Sequence, residues 1–257
     1  MADITSRYDG NVDDSDQVNW RGDQVTVPQG GQSIYDTSSI KLTELGSRKV
    51  VGDRVFRYAL AAMAIAPGDV VEGNPGVELT SAIATANASG GKQITFTATA
   101  AITKDAFADG YITVSTGTQA NLGYTYKIKS HSAIASAATG SVTLYDPIKL
   151  VMNTADKVDL QANLYGACNR CTTGIDALIV GVAPTLVTSG NYFWLQTWGP
   201  AGLKCAAGAT GAVAADVTGQ CIAYNSAQAQ AAHTVIGQAM CDIVASQNGM
   251  VYVTIAP

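Results

Sequence analysis

The sequence predicts a mainly β protein, an antiparallel sandwich or barrel-like arrangement behind an extended N-terminal arm. Three observations carry that expectation. Short runs of alternating β-branched and aromatic residues recur from about residue 45 to the C-terminus. Turn dipeptides built on Gly, Asn and Asp separate them, in a chain of 257 residues that holds 26 glycines. The first 47 residues look different: acidic at Asp9–Asp16, turn-rich at Pro28–Ser33, and poor in large apolar side chains.

The arm, residues 1–47, cannot bury enough surface to fold alone. It reads either as a segment ordered by contact with another surface or as a disordered tail. In the first case Tyr8, Trp20 and Tyr35 are its anchors, since isolated aromatics on an extended chain can dock into a neighbour's grooves. Arg21-Gly22-Asp23 matches a short adhesion tripeptide, but three residues recur too often by chance to carry weight.

A β-rich meander domain is expected over 48–165 and a β-rich C-terminal domain over 166–257, the two being able to form one continuous β unit. Residues 45–59 read as two strands around a Gly52-Asp53 turn. This hairpin holds the basic cluster of the chain, Arg48, Lys49, Arg54 and Arg57. In an acidic protein it reads better as a contact for an acidic protein neighbour than for nucleic acid. Pro67–Gly73 is a turn leading into a short strand, and residues 80–91 are one helical turn or a loop. Gly90-Gly91-Lys92 lacks the remaining positions of a phosphate loop.

Strands follow at Gln93–Thr99, Tyr111–Ser115, Tyr124–Lys129, Ser141–Tyr145 and Val158–Leu164, then at Gly174–Val182. Gly190–Pro200 anchors the C-terminal half. Tyr192, Phe193, Trp194 and Trp198 fall within seven positions there, with large groups on both faces. That pattern fits a strand covered on both sides, at the core or an oligomer interface, better than an aromatic ligand platform. Ala201–Val217 reads as an Ala/Gly-rich loop. Gly219–Tyr224, Val235–Val244 and Gly249–Ile255 close the chain as strands, with Asn248-Gly249 as a hairpin turn between the last two. No exact repeat stands out at a fixed period.

Composition narrows the function. Net charge is −5 and charged residues make up only 14%, against about a quarter in an ordinary soluble domain. The acidic balance argues against a nucleic-acid partner, and the low charge suggests a surface that faces other protein. The longest apolar run, Ala59–Ala66, falls short of the roughly 18 residues that span a bilayer. The N-terminus shows no apolar secretion segment, so synthesis in a cytoplasm is expected. Five cysteines, an odd number, fit reduced, buried small residues better than a disulfide framework. Cys168-Asn169-Arg170-Cys171 has a chelating or redox spacing but no second cysteine pair at short spacing to complete a zinc site. The two histidines, His131 and His233, lie far apart, and no catalytic motif surrounds them. No enzyme activity, metal or cofactor is expected.

Several segments resemble a class of tailed-bacteriophage head decoration or cement-type virion proteins. They are Gly52-Asp-Arg-Val-Phe-Arg-Tyr58, Asp109-Gly-Tyr-Ile-Thr-Val114, Tyr126-Lys-Ile-Lys-Ser130, Thr143-Leu-Tyr-Asp-Pro147 and Tyr192-Phe-Trp-Leu-Gln-Thr-Trp-Gly-Pro200, with Gly237-Gln-Ala-Met240 near the end. The resemblance implies a structural protein on the outer capsid surface, made in the host cytoplasm and needing no cofactor. Its partners would be the major capsid protein and further copies of itself, as a homotrimer. The capsid contacts would come from Tyr8, Trp20, Tyr35, Arg48, Lys49, Arg54 and Arg57. The alternative reading is a head or tail fibre module that binds host glycans.

Overall fold

The structure is a computed structural model describing residues 32–73, 76, 79–117, 120, 122–171, 178–205, 212–215, 220–223, 235–244 and 246–257. Within these residues it is all β, with sixteen strands and no helix. They are β1 (Arg48–Val51), β2 (Arg54–Leu60), β3 (Val70–Glu72), β4 (Leu79–Ile83), β5 (Gln93–Thr97), β6 (Tyr111–Thr116), β7 (Thr125–His131) and β8 (Thr139–Leu144). The rest are β9 (Lys157–Gln161), β10 (Asn169–Arg170), β11 (Ile179–Val182), β12 (Tyr192–Lys204), β13 (Ala212–Ala215), β14 (Cys221–Ala223), β15 (Val235–Ala239) and β16 (Asn248–Thr254).

The chain divides into two compact units. One is discontinuous, Met1–Asn74 with Tyr165–Pro257, and the other is Pro75–Leu164 between its halves. The expected seam near residue 165 is where the middle unit ends. Residues 48–74, grouped by the sequence with the meander, belong with the C-terminal half instead. The reason is β12, which pairs with β2 from Tyr192↔Leu60 to Trp198↔Val55 across about 140 residues of chain.

The middle unit is a closed barrel in the order β4-β5-β8-β7-β6-β9. It is not a simple meander: only β4-β5 and β6-β7-β8 are sequence neighbours, while β5 pairs β8 and the first strand closes on the last. Closure leaves no strand edge unpaired. Alternation supplies the filling, as in β5, where Ile94 and Phe96 are buried between partly or fully exposed Gln93, Thr95 and Thr97. Ile112, Ile128, Val142, Leu144, Val158 and Leu160 complete the same core. Residues 80–91, expected as helical turn or loop, contribute β4 instead.

The discontinuous unit is a ten-stranded sheet along the path β10-β3-β11-β12-β16-β15-β13-β14, with β1 and β2 attached through β12. Strand β12 runs thirteen residues, well past the start of the expected Ala/Gly loop. Its first half faces β2 and its second half β16, from Trp198↔Thr254 to Lys204↔Asn248. A register shift between Gln196 and Trp198 and a φ of +89° at Gly199 mark the changeover. A Cβ on Gly199 would stand 2.6 Å from Asp53 O, so glycine is required there. Asn248-Gly249 is the start of β16 rather than a hairpin turn. The reversal comes earlier, where Gln247 N donates to Val244 O and Ser246 takes φ +63°.

One turn recurs through both units. A bridge residue is followed by a four-residue turn closed by a backbone bond, and a strand leaves it. The bonds are Asp69 N to Ala66 O, Gly91 N to Ala88 O, Ala138 N to Ala135 O, Asp156 N to Asn153 O, Asn191 N to Thr188 O and Gln247 N to Val244 O. Gly68, Gly90, Ala137, Gly190 and Ser246 hold a positive-φ position in five of these six turns, all but Asn153–Asp156. The bridge residues pair Ile65 with Val187 and Asn87 with Met152. Strand pairs match around them: β2-turn-β3 against β11-turn-β12 in one unit, β4-turn-β5 against β8-turn-β9 in the other. The repeat is one of turn geometry and pairing rather than of residues, so no fixed sequence period announces it.

Candidate functional site

The hairpin β1–β2 forms as its sequence predicts, with Val51↔Arg54 closing a two-residue Gly52-Asp53 turn and φ +62° at Gly52. Its four cations do not make one face. Arg48 is exposed. Lys49 is only 4% exposed, its Nζ donating to Gln32 O at 3.0 Å and lying 5.4 Å from the centre of the Trp194 ring. Arg57 donates from Nη1 to Gly46 O and from Nη2 to Pro257 O, both at 3.3 Å, while its buried Nε makes no hydrogen bond among the described residues. Arg54 stands over the Phe56 ring at 5.5 Å and donates from Nη1 to Tyr35 Oη at 3.3 Å. Lys49 and Arg57 are therefore held by contacts within their own unit, Lys49 buried and Arg57 partly so. Arg48 and Arg54 remain as surface candidates.

Lys49 is drawn inward because Gln32 organises the segment that precedes the hairpin. Gln32 O also accepts from Trp194 Nε1 at 3.1 Å, and Gln32 Oε1 accepts from Tyr58 Oη at 3.2 Å. Gln32 Nε2 donates to Asp36 O and Tyr192 O. Tyr58 stacks on Tyr192 at 5.7 Å and meets Trp194 edge-on at 5.1 Å. Burial pushes the Tyr58 hydroxyl above its usual range, against the lowering effect of the Leu42 amide. Ile34 is buried beside Phe56, Tyr58 and Trp194. Residues 32–47, expected to belong to an outward-reaching arm, thus lie against β2 and β12 of their own unit. Tyr35 remains 56% exposed, while Tyr8 and Trp20 fall outside the described residues. Phe193 and Trp194 are core, with Tyr192 and Trp198 partly buried, as the covered-strand reading of β12 expects.

A groove of about 520 Å³ opens beside this hairpin in the discontinuous unit. Tyr35, Asp53, Arg54, Asn248 and Met250 line it, together with Gln196 of β12. Pro67, Pro184 and Pro200 stand among the remaining lining residues. Gln196 is 3% exposed, and its Nε2 donates to Trp198 O at 3.1 Å and Pro200 O at 2.8 Å. Two carbonyl acceptors on that atom fix which end of the amide is nitrogen. Both hydrogens are used, and Oε1 takes no hydrogen bond among the described residues. Nor is it among the polar atoms sealed from solvent. The changeover in β12 creates this arrangement, because Trp198 O and Pro200 O flank Gly199. Sequence reasoning gave no signal for the groove.

The cysteines separate into two kinds. Cys205 and Cys221 form a disulfide that ties the end of β12 to β14, which overturns the reading of all five as reduced, buried residues. Their spacing hid the pairing, because the fold brings together positions sixteen apart. Cys168 and Cys171 are both buried, flanking the two-residue strand β10, and Cys241 is exposed. Burial pushes the Cys168 thiol up to about 12. Among the described residues no three His, Cys, Asp or Glu are grouped to hold a metal ion. His131 is taken up structurally: Phe107 N donates to its Nε2 at 3.0 Å, so Nδ1 is the atom that donates to Ser132 O at 2.8 Å. No helix of the described residues is long and apolar enough to cross a membrane.

Compared with known protein families, with curated proteins and with solved structures, the chain matches none of them.

Proposed function

We propose that this protein is a structural component of a bacteriophage virion, decorating the outer capsid surface and bridging major capsid protein subunits as a homotrimer. The supporting observation is the surface of the discontinuous unit. Ile40, Leu178, Leu186, Met240 and Val244 are each more than half exposed there, on a scaffold whose chain has few charges. Side chains of this kind lose water favourably when another protein covers them, at about 25 cal/mol per Å² before ordering costs. Arg48 and Arg54 add cations that can meet acidic groups on the capsid. Residues 1–31 precede the part packed on β2 and β12, and the bridging arm is proposed to lie within them.

The test is the position and copy number of the protein in virions, measured by cryo-electron microscopy and quantitative mass spectrometry. Copies distributed over the head in multiples of three support the proposal. A few copies at one vertex, or none in the particle, overturn it. Removing residues 1–31 should weaken capsid coating by about tenfold or more while the remaining chain folds. Unchanged coating would overturn the bridging role of the arm.

A further inference from the structure

From the groove beside Gly52-Asp53 we infer a binding site for a neutral saccharide. It stands independently of the capsid reading. Gln196 Oε1 is a fixed acceptor, held by two hydrogen bonds from its own amide nitrogen. Such a group loses little freedom when a hydroxyl donates to it, and a ligand without a donor leaves it poorly solvated. Asp53 adds carboxylate acceptors, Arg54 donors, and Asn248 both. Met250 and the prolines supply apolar wall between these polar groups. Donors and acceptors that share one lining with apolar side chains match a sugar, which alternates hydroxyls with C–H faces. The volume of about 520 Å³ falls within the roughly 300–1,000 Å³ of small-molecule sites.

Other ligand classes fit less well. One Asp and one Arg cancel, so the groove offers no net positive charge for phosphate or another anion. A peptide added as a strand needs alternating backbone donors, and Pro67, Pro184 and Pro200 remove three from the lining. A docked amphipathic helix needs a broad apolar trough, while Asp53, Arg54, Gln196 and Asn248 interrupt this one.

Saturation-transfer NMR on the full-length chain tests the site, with glucose, galactose, N-acetylglucosamine and cellobiose as probes. At least one probe should bind at concentrations up to about 10 mM, the weak end of specific affinity. Asp53→Ala and Asn248→Ala should each lower that affinity about tenfold, with melting temperature retained. Ser189→Ala, a surface change outside the groove lining, should leave it unaltered. Silence from all four sugars overturns the inference, as does binding that survives both groove variants. Saturation transfer from the groove to a short extended peptide, with none to the sugars, also overturns it and assigns the groove to protein contact. None of these outcomes bears on where the protein sits in a virion.

Discussion

Thiol chemistry gives the residue scale a direct readout. In the folded protein at pH 8, a maleimide should label Cys241 and leave Cys168 and Cys171 unmodified, because the first is exposed and the others are buried. Unfolding in guanidinium without reductant should release three reactive thiols, and adding reductant should raise the number to five. Four or five thiols before reduction would contradict the Cys205–Cys221 bond. The pH dependence has a definite sign. Burial raises the Cys168 thiol from 9.0 to about 12, so the folded state holds this proton more tightly than the unfolded one. The stability linked to it is fully present below pH 9 and is lost as pH rises from 9 toward 12. Denaturation midpoints compared between native chain and Cys168→Ala over that range should converge as alkalinity increases. At this scale the large apolar residues were legible: Phe193 and Trp194 are core because size and alternation leave them nowhere else to go. Lys49 was not legible. A buried ammonium depends on Gln32 O and the Trp194 ring, and neither is near it in the chain.

Among the strands, β12 supplies the sharpest substitution. Gly199→Ala would place a methyl 2.6 Å from Asp53 O at a residue with φ +89°, costing about 2 kcal/mol or more. Gly202→Ala in the same strand meets nothing within 4 Å and should change stability far less. Urea midpoints of the two variants check this, and equal losses would refute the proposed role of Gly199. Most strands were legible because alternation and glycine turns are local properties. The exceptions share a physical cause. Strand β4 (Leu79–Ile83) carries Thr80, Ser81 and Ala82, whose small size hides their period, and β12 continues through Gly199-Pro200 because β16 takes over its pairing. Asn248-Gly249 reads locally as a turn, yet Gly249 pairs with Leu203 and the chain has already reversed at Ser246.

For the whole molecule, the barrel should fold by itself. Its first and last strands, β4 and β9, pair from Leu79↔Leu160 to Ala82↔Lys157, and its core draws on residues of that unit alone. Residues 75–164 expressed separately should show one cooperative thermal transition with β-type circular dichroism, and a broad non-cooperative melt would refute their autonomy. All-β character was readable from composition and alternation. The nesting of one unit inside another was not, since it rests on pairings such as Tyr192↔Leu60 that no local pattern encodes. The groove was hidden for the same reason: its lining runs from Tyr35 to Met250.

Nesting has a mechanical consequence. Both ends of the chain leave from the discontinuous unit, and β3 and β11, on either side of the inserted segment, are hydrogen-bonded to each other. Tension applied between the ends is therefore carried across that sheet and bypasses the barrel while the β3–β11 ladder holds. The inner module is shielded from load until its host tears.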